Sequence, residues 1–124
     1  MLAPTALHAE PWAFVIIQDP NTLRRYSDRA KASWIHEAAG HAELHVPRDT
    51  ASRSRFAEQL ANPEFSVFYN AGTPIVIYAK APRPFAAADC WLAAENLMLA
   101  ACALGLGTCC VGSAAEAFNT PEWK

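Results

Sequence analysis

The stretch Ala86–Ser113, AAADCWLAAENLMLAACALGLGTCCVGS, constrains this chain more than any other. It opens with a helical run whose apolar residues cover nearly the whole circumference: Ala88, Trp91, Leu92, Leu97, Met98, Leu99, Cys102 and Leu104. A helix that is apolar all round has to be buried on most sides. Asp89 near its start suits the positive end of the helix dipole. Gly105 and Gly107 end the run, as glycines past a helix terminus do. Thr108–Val111 then reads as a short strand-like segment, and Gly112-Ser113 turns the chain again. The stretch predicts a central buried helix feeding a strand, with a glycine where backbone can approach a ligand closely. It is not a membrane span. Asp89, Glu95 and Asn96 interrupt it, and a span needs roughly 20 apolar residues.

A chain of 124 residues is most simply one domain. Hydrophobic residues make up 52% of it and charged residues only 18%. So low a charge fraction on a small chain implies apolar surface buried against a partner, read here as a second copy. The net charge of -2 gives no support to nucleic acid or an anionic membrane as partner. The N-terminus shows no basic region followed by an apolar core, so no secretory signal is read. Cys90, Cys102, Cys109 and Cys110 form no CxxC pair and have no histidine at metal-ligand spacing. They read as reduced, small core residues of a cytoplasmic protein, and no metal site is expected. Cys109 and Cys110 are adjacent, but neighbours on a strand point to opposite faces, which argues against a redox pair.

Before the central helix the pattern is mixed. Met1–Pro11 is loop-like, and Trp12–Gln18, WAFVIIQ, is a buried strand by its β-branched and aromatic content. Asp19 or Asn21 caps the next helix, Thr22–Ala39. Its apolar stripe of Leu23, Tyr26, Ala30 and Trp34 runs among Arg24, Arg25, Asp28, Arg29 and Lys31. Gly40–Thr50, with His41 and His45, reads as a loop. Ala51–Ala61 is a second amphipathic helix stopped by Asn62-Pro63. Phe65–Tyr69 approaches a second core strand, Pro74–Lys80, and Ala81–Pro84 connects to the central helix. Ala114–Phe118 is a short helix, and Asn119–Lys124 trails off. The layout is α+β (mixed α/β), with a central buried helix against a small mixed sheet. A core strand almost at the N-terminus, and an end soon after the last strand, suggest an incomplete domain.

Three segments carry a family resemblance. Ala3–Val15, APTALHAEPWAFV, is similar to the nitroreductase pattern A-P-S-x-x-N-x-Q-P-W-x-F-V. Phe68–Ile77, FYNAGTPIVI, is similar to that family's F-Y-x-A-P-x-x-I-x-I. Ala88–Gly112 resembles A-D-x-x-x-A-x-Q-N-L-x-L-A-A-x-x-L-G-L-G-T-C-W-I-G. The order is kept, and from first to last the segments span most of the chain.

The resemblance implies a nitroreductase-like fold and an FMN-dependent oxidoreductase. In such a protein electrons pass from NAD(P)H through FMN to a nitroaromatic, quinone or similar small-molecule acceptor. It implies a homodimer joined through the central helix, with FMN at the interface. The protein then supplies position, a stacking surface and hydrogen bonds, while the flavin carries the chemistry.

Carried over by position, the implied flavin contacts are Pro4, Thr5, His8, Glu10, Cys110, Val111 and Gly112. No residue is implied as a catalytic acid, base or nucleophile. Thr5 keeps the hydroxyl of the family's Ser; taken alone it is equally an ordinary turn residue. His8 stands in place of an Asn that hydrogen-bonds the flavin ring, and it is larger and titratable. Glu10 replaces a Gln, and an ionised carboxylate cannot donate a hydrogen bond. Cys110 replaces a bulky aromatic, leaving space over the ring. Gly112 supplies or adjoins the backbone N–H that approaches flavin N5. Glu95-Asn96 matches a Gln-Asn pair and reads as a structural hydrogen-bonder.

Neither of the family's grips on the FMN phosphate, basic residues at its two ends, is recognisable here. A phosphate carries about two negative charges, so losing those contacts costs several kcal/mol of binding. Arg24, Arg25 and Arg29 are no substitutes, because an amphipathic helix turns such charges to solvent. The alternative expectation is therefore a truncated, non-catalytic remnant or dimerisation module that has lost flavin.

Overall fold

The computed structural model describes residues 3–38 and 49–118. The expected loop Gly40–Thr50 falls almost wholly outside them, as does the tail Asn119–Lys124. In chain order the elements are a 3-10 turn at Ala6–His8, strand β1 (Trp12–Ile16), helix α1 (Pro20–Ala38) and helix α2 (Thr50–Ala61). Strand β2 (Ile75–Ala79), helix α3 (Ala86–Ala103) and the short helix α4 (Ala115–Phe118) follow. Contacts group the chain into two compact units: Met1–Ile17 with Thr73–Cys110, and Gln18–Gly72 with Val111–Lys124.

In the first unit β1 and β2 pair antiparallel, in a register running from Trp12 opposite Ala79 to Ile16 opposite Ile75. Two further bonds extend the ladder, Ile17 N–H to Pro74 O at 3.0 Å and Lys80 N–H to Pro11 O at 2.7 Å. Both strands pack on α3. The sheet is thus small and antiparallel rather than mixed. Thr108–Val111 is not a strand, because among the described residues no strand pairs with it.

Helix α3 carries two faces. Ala86, Asp89 and Ala93 are buried. Ala88, Trp91, Leu92, Glu95 and Leu99 recur at i, i+3, i+4, i+7 and i+11 and are all exposed. Among the described residues β1, β2 and the N-terminal segment cover one side of the helix, so the expectation of burial on most sides fails there. The helix ends in a Schellman cap. Gly105, at φ +74°, donates to Cys102 O at 3.0 Å, and Leu106 donates to Ala101 O at 2.9 Å. Cys102, Cys109 and Cys110 are exposed and Cys90 is half-buried, so the cysteines are free thiols but not core residues. Among the described residues no helix is long and apolar enough to cross a membrane.

The second unit is built on α1. Asp19 is its N-cap, accepting Thr22 N–H at 2.7 Å, and Pro20 takes the first helical position, where a missing N–H costs nothing. Leu23, Tyr26, Ala30 and Trp34 form the buried stripe, as their spacing predicts. Ser27 and Lys31 share that face and are buried too, although Lys31 reads from sequence as a solvated charge. Ser27 Oγ accepts Val67 N–H at 3.1 Å. Lys31 Nζ donates to Phe65 O at 3.0 Å and pairs with Asp28 at 3.1 Å. The segment expected to lead into a strand, Phe65–Tyr69, instead turns. Tyr69 and Asn70 have φ of 52° and 59°, and Ala71 N–H closes the turn on Phe68 O at 2.9 Å. The Trp34 ring meets Phe56 edge-on at 5.5 Å, and Tyr26 meets Phe118 at 5.0 Å.

Candidate functional site

The N-terminal segment gathers four of the residues expected at a site. Pro4 is exposed, Thr5 half-buried, and His8 and Glu10 exposed. Between Thr5 and Glu10 the chain coils tightly: His8 N–H bonds Thr5 O at 3.2 Å and Ala9 N–H bonds Ala6 O at 3.1 Å. Thr5 and Glu10 are brought together directly, because Thr5 Oγ1 accepts Glu10 N–H at 3.2 Å. That bond uses a lone pair of the hydroxyl and leaves its O–H free to donate.

The coil is strained. Leu7, His8 and Glu10 have φ of 53°, 55° and 42°. A side chain in this left-handed region costs of order 1–3 kcal/mol, and such residues concentrate at ligand clamps. Histidine, like asparagine, is among the residues that tolerate it best, so the change from the family's Asn to His8 fits the backbone. Leu7 is 99% exposed, so no side-chain packing holds it in this conformation. A bond from outside the segment does bear on it: Ala6 N–H donates to Asp89 Oδ1 at 3.0 Å. Asp89 is 4% exposed. A hydrogen bond to a charged group of this kind contributes about 1.5–3 kcal/mol. Sequence reasoning assigned Asp89 only to the helix dipole. The partner, 83 residues away, left no signal in the sequence.

Cys110 is exposed at the end of the first unit; Val111 and Gly112 open the second. A Cβ built on Gly112 would meet nothing within 4 Å, and its φ is not left-handed. Among the described residues neither an unusual backbone conformation nor packing requires glycine there. Burial raises the pKa of the Cys90 thiol, and the charge of neighbouring Asp89 adds to the effect. Cys90 is thus poorly suited to act as a thiolate.

Two clefts accompany these residues. One, of about 170 Å³, is bounded by Ala6, Leu7, Arg83, Phe85 and Asp89 in the first unit. It is smaller than the roughly 300–1,000 Å³ of ordinary ligand sites. The other, of about 410 Å³, lies in the second unit between α1 and the Pro63–Gly72 turns and contains none of the expected residues. Among the described residues no group of three or more His, Cys, Asp or Glu is placed to hold a metal ion.

The sequence matches the Nitroreductase family over residues 1–119. The chain belongs to the nitroreductase family. Among solved structures it is similar to a nitroreductase with bound FMN from Bacteroides fragilis NCTC 9343, at 24% identity and a TM-score of 0.73. The match covers 98% of this chain and 58% of that one, so the chain spans little more than half the length of that relative. No curated protein matches the sequence. The fold is therefore nitroreductase-like and α+β, as the three sequence segments predict. In this nitroreductase-family chain the strained Thr5–Glu10 segment coincides with the A-P-S-type motif. The open position at Gly112 coincides with the end of the G-L-G-T-C motif.

Proposed function

We propose that this chain belongs to an FMN-dependent oxidoreductase of nitroreductase type. It would move electrons from NAD(P)H through FMN to a nitroaromatic, quinone or similar small-molecule acceptor. The family match over residues 1–119 carries this reading. The residues fit a flavin in two respects. Thr5 offers a free hydroxyl donor from a segment fixed in a strained conformation, and Gly112 offers backbone with open space at its Cβ position. FMN, when bound, supplies the hydride-accepting and electron-passing chemistry. The chain's part is to orient it: Thr5 donates, the His8 imidazole donates or accepts, and Gly112 presents main chain without a side chain in the way. When ionised, Glu10 can only accept hydrogen bonds, and its charge disfavours added negative charge near it.

The partner we propose is a second copy of the chain on the exposed face of α3. Trp91, 64% exposed, lies there with Leu92 and Leu99, and Leu104 and Leu106 follow beyond the helix end. Contiguous apolar surface of this kind marks an association site. A cytoplasmic location agrees with the four free thiols.

The test is an absorbance titration of the purified chain with FMN, beside size-exclusion chromatography. A yellow dimer, bleached by NAD(P)H and restored by a quinone or nitroaromatic, is the expected result. A colourless chain that ignores FMN would instead support the second reading, a non-catalytic dimerisation module. The observation that favours that reading is the exposed Glu10 carboxylate in place of an amide donor.

A further inference from the structure

We propose that Asp89 is a positioning residue for flavin binding: from α3 it latches the Thr5–Glu10 segment in its left-handed form without itself touching the flavin. The inference rests on the reading of that segment as flavin-facing. Among the described residues four hydrogen bonds hold the segment's coil. Three are internal to it: His8 to Thr5 O, Ala9 to Ala6 O and Glu10 to Thr5 Oγ1. Internal bonds of this kind re-form in many arrangements of a short loop. The fourth, Ala6 N–H to Asp89 Oδ1 at 3.0 Å, ties the coil to a helix in the body of the unit.

The carboxylate is well placed for the task. It sits in the first turn of α3, where the helix dipole favours negative charge, and its own N–H is already bonded to Phe85 O at 2.9 Å. It is almost wholly buried, so water competes little for Ala6 N–H. Leu7, next in the chain, is left-handed and almost fully solvated, so its own side chain does nothing to hold it. Without the latch the segment should relax toward ordinary φ values. The Thr5 hydroxyl and the His8 ring would then be presented in many orientations instead of one. A ligand that needs one orientation binds in proportion to the fraction of chains that hold it.

Two measurements on the full chain test this. In the absence of FMN, Asp89→Leu, which keeps bulk but removes the acceptor, should raise amide exchange at residues 6–10 by about tenfold. The β1–β2 amides and those of α3 from Ala93 onward should keep their protection. Asp89→Asn, which retains an acceptor oxygen, should restore most of the protection. Ala6→Pro deletes the same bond from the other side. Proline is tolerated at the first position of a helical turn, and Thr5, at φ -137° and ψ 148°, has the backbone that a following proline requires. In the Ala6→Pro background, Asp89→Leu should change exchange at residues 7–10 no further.

With FMN, Asp89→Leu should weaken binding about tenfold and Asp89→Asn by no more than about threefold. Unchanged exchange at residues 6–10 in Asp89→Leu overturns the proposal. So does a loss of protection spread through the whole sheet, which would make Asp89 a general support. A loosened segment with unchanged FMN affinity overturns the link to binding. A wild-type chain that ignores FMN removes the proposed function and this role together, and it is recognised from the wild type alone.

Discussion

Trp34 donates its indole N–H to Ser113 O across 2.6 Å, joining positions 79 residues apart. The bond fixes the segment leading into α4 against the buried face of α1. Trp12 is its opposite: its indole nitrogen is buried with no hydrogen-bond partner among the described residues.

The two tryptophans should therefore respond differently to loss of the N–H. Trp34→Phe breaks the bond and leaves a partly buried carbonyl unpaired, at a cost of about 1–3 kcal/mol. Trp12→Phe removes a donor that has nothing to lose, so only its packing term remains. Urea denaturation of both variants should place the Trp34→Phe midpoint below that of Trp12→Phe. Equal midpoints would argue against the Trp34–Ser113 bond.

Ser27→Ala should be costly for so small a change. Val67 is 1% exposed and its N–H has the Ser27 hydroxyl as acceptor. Without that acceptor a buried donor is orphaned, at about 1–3 kcal/mol. Ser33→Ala, at a half-buried position on the same helix, should stay within about 0.5 kcal/mol. Thermal unfolding of the two variants measures the contrast.

The helix caps predict an acid-side loss of stability. Asp19 has its pKa lowered chiefly by hydrogen bonding to Thr22, and Asp49 by hydrogen bonding to Ser52. A folded-state pKa below the unfolded one means that the charged form is favoured by folding. That stability is present above the unfolded value, about 3.9, and is lost as pH falls through the lower folded value. Asp19→Asn and Asp49→Asn keep a capping oxygen without a titration. The double variant should show a smaller drop in urea midpoint between pH 5 and pH 2.5 than the parent. An identical drop in both would mean that other groups govern acid unfolding.

Thiol reactivity should divide the cysteines. Cys102, Cys109 and Cys110 are exposed, whereas burial and the Asp89 charge raise the Cys90 pKa and lower its thiolate fraction. Timed alkylation at pH 8, read by peptide mass spectrometry, should find Cys90 modified last.

What the sequence makes legible here is local. The spacing of Leu23, Tyr26, Ala30 and Trp34 identifies the buried stripe of α1, Asp19-Pro20 marks its start, and Gly105 marks the end of α3. These depend on periodicity and terminus chemistry within a few residues. Lys31 and Asp89 are illegible for the opposite reason. Each is a charged residue whose burial depends on a main-chain group 34 or 83 positions away, Phe65 O and Ala6 N–H. Nothing near Thr108–Val111 in the sequence shows that a β-like run lacks a strand to pair with. The A-P-S-type motif singles out the candidate site residues, but not the left-handed backbone at Leu7 and Glu10, which neither residue favours.

The two-stranded sheet has a consequence for how the chain behaves at concentration. Among the described residues β1 and β2 pair only with each other, so each strand shows a second edge of unpaired N–H and C=O groups. Val15 and Ile16 on one strand and Ile75 and Tyr78 on the other are exposed beside those edges. Neither strand contains a proline or a charged residue to deter pairing with another molecule. Newly made chains should therefore nucleate cross-strand assemblies readily. Yield of dispersed protein should depend more steeply on synthesis rate and temperature than on the strength of the fold. A lysine at Ile16 should improve that yield even if it leaves the unfolding midpoint where it was.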